Sequence, residues 1–316
     1  MKTAATAEKS TMFHVEQAAL ERVESCAICG SWEKREVLAP LDHTVSKQRF
    51  SIAECSGCGF RFTDPRPPQD RIGDYYESEE YISHTNAKRS LQDRLYHIAR
   101  RWALKQKFAL IHRHQASGKV LDVGCGTGEF LAYLMGRGYQ VQGVEPSLKA
   151  REKAIAEYGF HVVADLDRVP AQEQFQVITL WHVLEHVPDP RATFKKLYAR
   201  LADDGLLVIA VPDRESWDAQ HFKEHWAAWD VPRHLSHFRR RDIHRLLNEH
   251  GFQLVATKRM LMDAAYISML SSKYQGSGSL IALIKGIVLG AISNVASFVS
   301  GRPTSSSLYI AKKAEG

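Results

Sequence analysis

Four of the five cysteines fall in two pairs of one form, Cys26-Ala27-Ile28-Cys29-Gly30 and Cys55-Ser56-Gly57-Cys58-Gly59. A C-x2-C turn aims both sulfurs at one centre, and the glycine after it allows the left-handed backbone of a metal knuckle. Two such turns complete a tetrahedral S4 set, so Cys26, Cys29, Cys55 and Cys58 are expected to hold a structural zinc ion. Iron in a rubredoxin-like S4 site would use the same spacing. With four protein ligands the site is closed, which leaves no open position for hydrolysis. The surrounding module is too short to build an adequate core, so its folding should depend on the metal.

A second constellation is Lys119-Val120-Leu121-Asp122-Val123-Gly124-Cys125-Gly126-Thr127-Gly128-Glu129, which reads as strand, glycine loop and helix start. Glycines let a ligand approach the backbone, and Glu145, at the end of the next apolar run, can accept both hydroxyls of a ribose. A nucleoside-containing cofactor is expected. Asp122 lies inside the first strand, and the spacing is G-x-G-x-G where a dinucleotide fold usually has G-x-G-x-x-G.

The elements that must position these groups follow from the pattern of apolar runs. Residues 1–22 lack periodicity and are expected to form a mobile arm. Residues 23–64 carry the cysteine pairs among short alternating runs, a small β-rich ribbon. Pro65, Pro67 and Pro68 break regular structure and open a linker and helical lead-in over 65–116, where Leu95, Ile98, Trp102, Leu104, Phe108 and Ile111 recur at helical spacing. From 117 to 316, short apolar runs alternate with helical stretches, which predicts an α/β domain with a mostly parallel sheet and helices on both faces. An apolar helical insertion interrupts it at about 260–304.

At these residues the chain resembles the class I S-adenosylmethionine (SAM)-dependent methyltransferases, across roughly residues 90–315. The resemblance implies a Rossmann-like fold with a seven-stranded sheet and SAM as the cofactor. Asp122, Gly124, Gly126 and Gly128 then face the methionine part, Glu145 holds the ribose, and Asp165 reads the adenine amino group. Phe175 to Val187 resembles the fourth strand of that fold and the loop beside the reacting methyl. With the cysteine module, the chain also resembles zinc-ribbon-bearing methyltransferases, among them sugar C-methyltransferases. Pro232 and Arg233 stand where that group carries an acid.

Methyl transfer from a sulfonium mainly requires positioning and removal of the acceptor's proton, a task that suits histidine near neutral pH. His182 belongs to the loop after the fourth strand, and His234 and His237 to the loop after the fifth. Both loops fall at the carboxyl edge of the sheet, where ligands of open α/β folds bind. These three are the candidate catalytic residues. His186 is expected to be a hydrogen-bonding residue of its turn, Cys125 a small filler, and Asp230 and Arg233 either a pair shaping the loop or substrate groups.

The absence of N-P-P-Y or D-P-P-Y after the fourth strand disfavours exocyclic base nitrogens as acceptors. Leu180-Trp181-His182 has no aspartate to hold magnesium beside a catechol, so a metal-independent transfer to oxygen or carbon of a small molecule, glycan or lipid-linked intermediate is expected. RNA methylation with the ribbon as RNA-binding module, Arg49, Arg61, Arg66 and Arg71 forming a basic face, is the alternative, and a non-catalytic SAM-binding protein is a third reading. The 316 residues are 44% hydrophobic and 25% charged with a net charge of +6, an ordinary globular composition whose charge is too diffuse to demand nucleic acid. Lys2, Glu8, Lys9 and Glu16 interrupt any apolar signal run, so a cytoplasmic protein is expected. The apolar stretch 280–300 could cap the acceptor pocket, pair two copies or touch the cytoplasmic face of a membrane.

Overall fold

The computed structural model describes residues 20–76 and 91–314, the side chains of 91–99 excepted, so most of the expected N-terminal arm lies outside the described residues. A small antiparallel sheet comes first, built from β1 (Lys34–Leu38), β2 (Ile52–Cys55) and β3 (Arg61–Thr63). Helix α1 (Leu91–His114) leads into the large domain. There β4 (Lys119–Val123), α2 (Glu129–Met135), β5 (Gln140–Val144), α3 (Leu148–Tyr158), β6 (Val162–Val163), β7 (Phe175–Trp181), α4 (Pro190–Arg200) and β8 (Leu201–Pro212) alternate along the chain. Helix α5 (Trp217–Phe222), the short strand β9 (Ser236–His237), α6 (Arg240–Glu249) and β10 (Phe252–Arg259) follow. A helical hairpin, α7 (Leu261–Tyr274) and α8 (Ser279–Ser300), precedes the last strand β11 (Ser306–Lys313).

The large sheet has seven strands in the order β10-β11-β8-β7-β4-β5-β6. From β6 to β8 the neighbours run parallel, and β11 enters antiparallel between β8 and β10. Because strand side chains alternate, each run feeds two cores. Val120, Val177, Val208 and Ile310 pack on one face, and Leu121, Ile178, Leu207 and Tyr309 on the other. This is why the strands read as continuous apolar runs rather than alternating ones. The chain leaves β4 toward β5 on one side and returns to β7 on the other, so the crevice for a ligand opens at the carboxyl ends of β4 and β7.

The cysteine module is welded to this domain. Strand β9, from the loop after β8, completes the small sheet by pairing with β3, Phe62 opposite Ser236. Cys26, Phe60 and Phe62 share one core with Phe238, Leu246 and the sheet residue Leu121. Three arginines of the large domain cap carbonyls of the knuckles: Arg191 donates to Ile28 O, Arg239 to Cys58 O and Arg214 to Gly59 O, at 2.5 to 3.0 Å.

Candidate active site

The four thiols converge on one point. Cys26 and Cys58 sulfurs lie 3.6 Å apart and Cys29 and Cys55 sulfurs 3.4 Å apart, with all four within 4.8 Å of one another. A zinc–sulfur bond of about 2.3 Å requires tetrahedral edges of about 3.8 Å, so the set fits zinc with little adjustment. Gly30 and Gly59 close the two knuckles at φ of 75° and 72°, the left-handed conformation that a side chain would strain.

The glycine loop is shaped by similar constraints. Gly124, Gly126 and Gly128 all have positive φ. A Cβ on Gly124 would lie 2.4 Å from Val183, and one on Gly128 2.6 Å from Phe160, so both are fixed by packing. A Cβ on Gly126 meets nothing within 4 Å; its backbone faces open space, where a ligand can reach it. Glu145, half-buried at the end of β5, accepts from Gly126 N and Ser147 N, each at 2.9 Å. The loop and the candidate ribose carboxylate are thus coupled. Asp122 is buried on β4 and accepts from the Thr179 hydroxyl at 2.5 Å. Burial pushes its carboxyl up to about 6, opposed by Thr179 and by Lys107 of α1. Asp165 is exposed, caps the turn after β6 by accepting from Arg168 N, and pairs with the Arg168 side chain at 3.3 Å. Cys125 packs beneath the loop against Leu131 and Phe160.

His182 terminates β7 in a left-handed conformation, φ 56°, and its ring lies between two carboxylates. Nδ1 is 3.5 Å from Glu185 and Nε2 is 3.1 Å from Asp263, the latter from the start of α7. Burial would lower its pKa, but the two carboxylates outweigh it and raise the imidazole to about 10. His182 is therefore a cation at neutral pH. Glu185 is 1% exposed, and among the described residues neither carboxylate oxygen has a hydrogen-bond partner.

His234 and His186 pack edge to face, ring centroids 4.6 Å apart. One atom each of Glu185, His186 and His234 lie within 4.8 Å of one another. His234 Nδ1 is 2.8 Å from Ala228 O, so that nitrogen carries the hydrogen in the neutral ring, and Nε2, the remaining acceptor, lies 3.8 Å from the Asp230 carboxylate. His186 Nδ1 lies 3.0 Å from Arg233 O and 2.8 Å from the Tyr76 hydroxyl. Burial first, then the His234 neighbour, lower His186 to about 4, so it is neutral. His237 is set apart: its Nε2 is 3.1 Å from the Thr63 hydroxyl and its ring meets Trp229, inside the small sheet. Burial holds it well below the ordinary histidine value.

The loop carrying His234 is fixed from the cysteine module. Arg233, 3% exposed, donates to Asp230 at 2.5 Å, to Asp42 at 3.2 Å and to Tyr75 O at 3.0 Å. Thr63 anchors the next turn through its hydroxyl to His234 O and its N–H to Leu235 O. Leu235 N in turn donates to Glu185 O at 2.8 Å, locking the two histidine loops together. Asp42, Lys107, Glu185 and Asp263 were not among the sequence candidates. Lys107, whose amine lies 4.3 Å over the Trp181 ring, and Asp263 reach the site from helices whose amphipathic pattern carries no such signal. Each of the four arginines of the alternative basic face has an acid partner, Glu224, Glu54, Glu21 and Asp74 in turn, so that face is a neutralised mixed surface.

A family model described as a methyltransferase domain matches residues 94–257. The chain belongs to this family, and it is a SAM-dependent methyltransferase of Rossmann-like class I fold. Among curated relatives, a ubiquinone biosynthesis O-methyltransferase of Idiomarina loihiensis is 30% identical over 184 residues, 53% of this chain and 74% of that protein. Its counterpart in Stutzerimonas stutzeri is 35% identical over 111 residues, 33% of this chain and 48% of that protein. Among solved structures, magnesium protoporphyrin IX methyltransferase from Synechocystis PCC 6803 with bound SAH aligns over 78% of this chain and all of that one, at TM-score 0.51 and 14% identity. That likeness concerns the fold.

Proposed function

We propose that the protein transfers the methyl group of SAM to a hydroxyl oxygen of a small molecule, free or carried on a glycan or lipid, in the cytoplasm, with His234 as general base. The observation that carries the reading is the His234 ring: Nδ1 is committed to Ala228 O, which leaves Nε2 as the ring's acceptor, in a loop tied to the one that covers Gly124 through Leu235 N and Glu185 O. The O-methyltransferase relatives support oxygen as the acceptor atom. Gly126, Glu145 and Asp122 hold the cofactor, and Asp165 lies at the adenine end. Bound there, SAM supplies an electrophilic methyl group.

The remaining steps belong to the chain's own side chains. His234 Nε2 accepts the proton as the acceptor oxygen becomes nucleophilic. His182, a cation held by Glu185 and Asp263, orients an electron-rich acceptor and steadies the negative charge that develops on its oxygen. His237 acts through position, holding β9 against β3. The four cysteines bind zinc, and the zinc module sets the loop that carries His234.

The test is incubation of the zinc-loaded protein with methyl-labelled SAM and separate metabolite, lipid and nuclease-treated RNA fractions. Label in a small-molecule or lipid ether, lost in His234→Ala with SAM affinity unchanged, supports the reading. Label confined to RNA, or full activity in His234→Ala, overturns it.

A further inference from the structure

Helix α8 is built inside out for water. The stripe it turns to the protein is small or polar, Ala282, Gly286, Gly290, Ser293 and Ser297, while the outward face carries Ile284, Ile287, Val295, Phe298 and Val299, each 55% to 83% exposed. Among the described residues, 13 of the 21 large apolar side chains left exposed lie between 261 and 299. Surface helices normally turn that side inward, and a continuous apolar face of this kind marks an interaction surface. The glycines explain the inner side: a Cβ on Gly286 would lie 2.6 Å from Met269 Cβ, and one on Gly290 2.6 Å from Ala265 Cα, so α7 and α8 touch through their backbones.

We propose that this hairpin docks the protein on an anionic lipid bilayer, with α8 lying in the plane of the surface. Charge selects the occupant. From 264 to 302 the sequence contains Lys273, Lys285 and Arg302, all exposed, and no Asp or Glu, so the segment that bears the apolar face carries net positive charge, which suits anionic headgroups over acyl chains. A second copy joined across this face by a two-fold axis would set the cations of one hairpin against those of the other, the hairpin's one acid, Asp263, being paired with His182. Polar anchors keep the helix from leaving the protein to span the membrane. Ser293 donates to the buried Asp218 carboxylate at 2.8 Å, and Arg259 donates to the Ser297 hydroxyl at 2.6 Å. Lifting α8 away would take one of three donors from Asp218, which also accepts from Trp226 Nε1 and Ser305 Oγ at 2.7 Å, and would uncover a carboxylate that is 0% exposed.

The docking face is continuous with the site described above. Asp263, which holds His182, sits in the first turn of α7 beside the exposed Leu261 and Met262. A bilayer that takes up Leu261 and Met262 together with α8 therefore lies within one helical turn of the carboxylate that pairs with His182. Binding itself does not rest on the acceptor being lipid-linked, nor on His234 being the base.

The test is co-flotation of the full-length zinc-loaded protein with phosphatidylcholine vesicles, with and without phosphatidylglycerol. We expect flotation with phosphatidylglycerol vesicles that weakens with added salt, and elution from them by alkaline carbonate. Ile287→Ser combined with Val295→Ser, at positions outside the cofactor and histidine sites, should weaken binding about tenfold or more while SAM affinity is unchanged. Failure of the wild-type protein to float with either vesicle, or equal flotation of the double variant, overturns the proposal. Resistance to carbonate overturns the in-plane placement. A wild-type dimer in sedimentation that the double variant dissociates, without vesicle binding, assigns the face to a second copy instead.

Discussion

Replacing Asp42 by asparagine tests whether the cysteine module controls the acceptor loop. Asp42 is 1% exposed and Arg233 3% exposed, and they meet at 3.2 Å across that junction. The Asp42 carboxyl also takes N–H groups from Thr44, Val45 and Ser46. Burial opposes ionisation, but Arg233 and these donors hold the group from its ordinary 3.8 down to about 2. At about 1.4 kcal/mol per tenfold change in acidity, that corresponds to about 2.5 kcal/mol of folding stability at neutral pH. Because the folded carboxyl is the stronger acid, the contribution is fully present above about pH 4 and is lost as pH falls toward 2. The Asp42→Asn substitution removes the charge and turns an amide N–H toward the Ser46 donor, so the single variant should lose about 3 kcal/mol. A double-mutant cycle with Arg233→Met, read by urea unfolding of the zinc-loaded protein at pH 7, isolates the pair and should give a coupling of about 2 kcal/mol. Methyl transfer should fall with it, because Arg233 precedes His234, while SAM affinity should hold. A coupling below about 0.5 kcal/mol would refute the reasoning, as would full activity in Asp42→Asn.

Three further outcomes follow from the site. Gly126→Val, at φ 56° with open space in place of a neighbour, should lower SAM affinity in calorimetry by at least about a hundredfold, as a side chain both strains the loop and fills the cofactor's approach. Cys55→Ser should release the bound zinc, measured with a colorimetric chelator, and methyl transfer should fall in parallel, since β9 then loses its partner strand; zinc loss with full activity would separate the module from the site. His182→Gln removes a cation raised to about 10, leaving Glu185 and Asp263 facing each other, so kcat should drop about tenfold or more at pH 7 with the KM for SAM little changed.

The local motifs were legible because they are local. The C-x2-C-G turns and the glycine loop are defined by residues adjacent in sequence, and positive-φ glycines impose the same backbone wherever such turns occur. The seven strands were legible because a sheet covered on both faces needs apolar residues at successive positions, which a linear scan detects. Asp165 was placed by resemblance, and it sits exposed at the end of β6 beside Arg168.

What tertiary structure decided is the partnership between distant segments. His182, His234 and His237 look alike in sequence, yet two carboxylates 78 residues apart in chain order make the first a cation, Ala228 O orients the second, and the small sheet buries the third. No spacing rule links Asp42 to Arg233 or β3 to β9, because their meeting depends on how the module packs against the large domain. The same holds for α8. Its sequence shows a long apolar helix, and only packing through Gly286 and Gly290 settles that the small residues turn inward and the large ones outward.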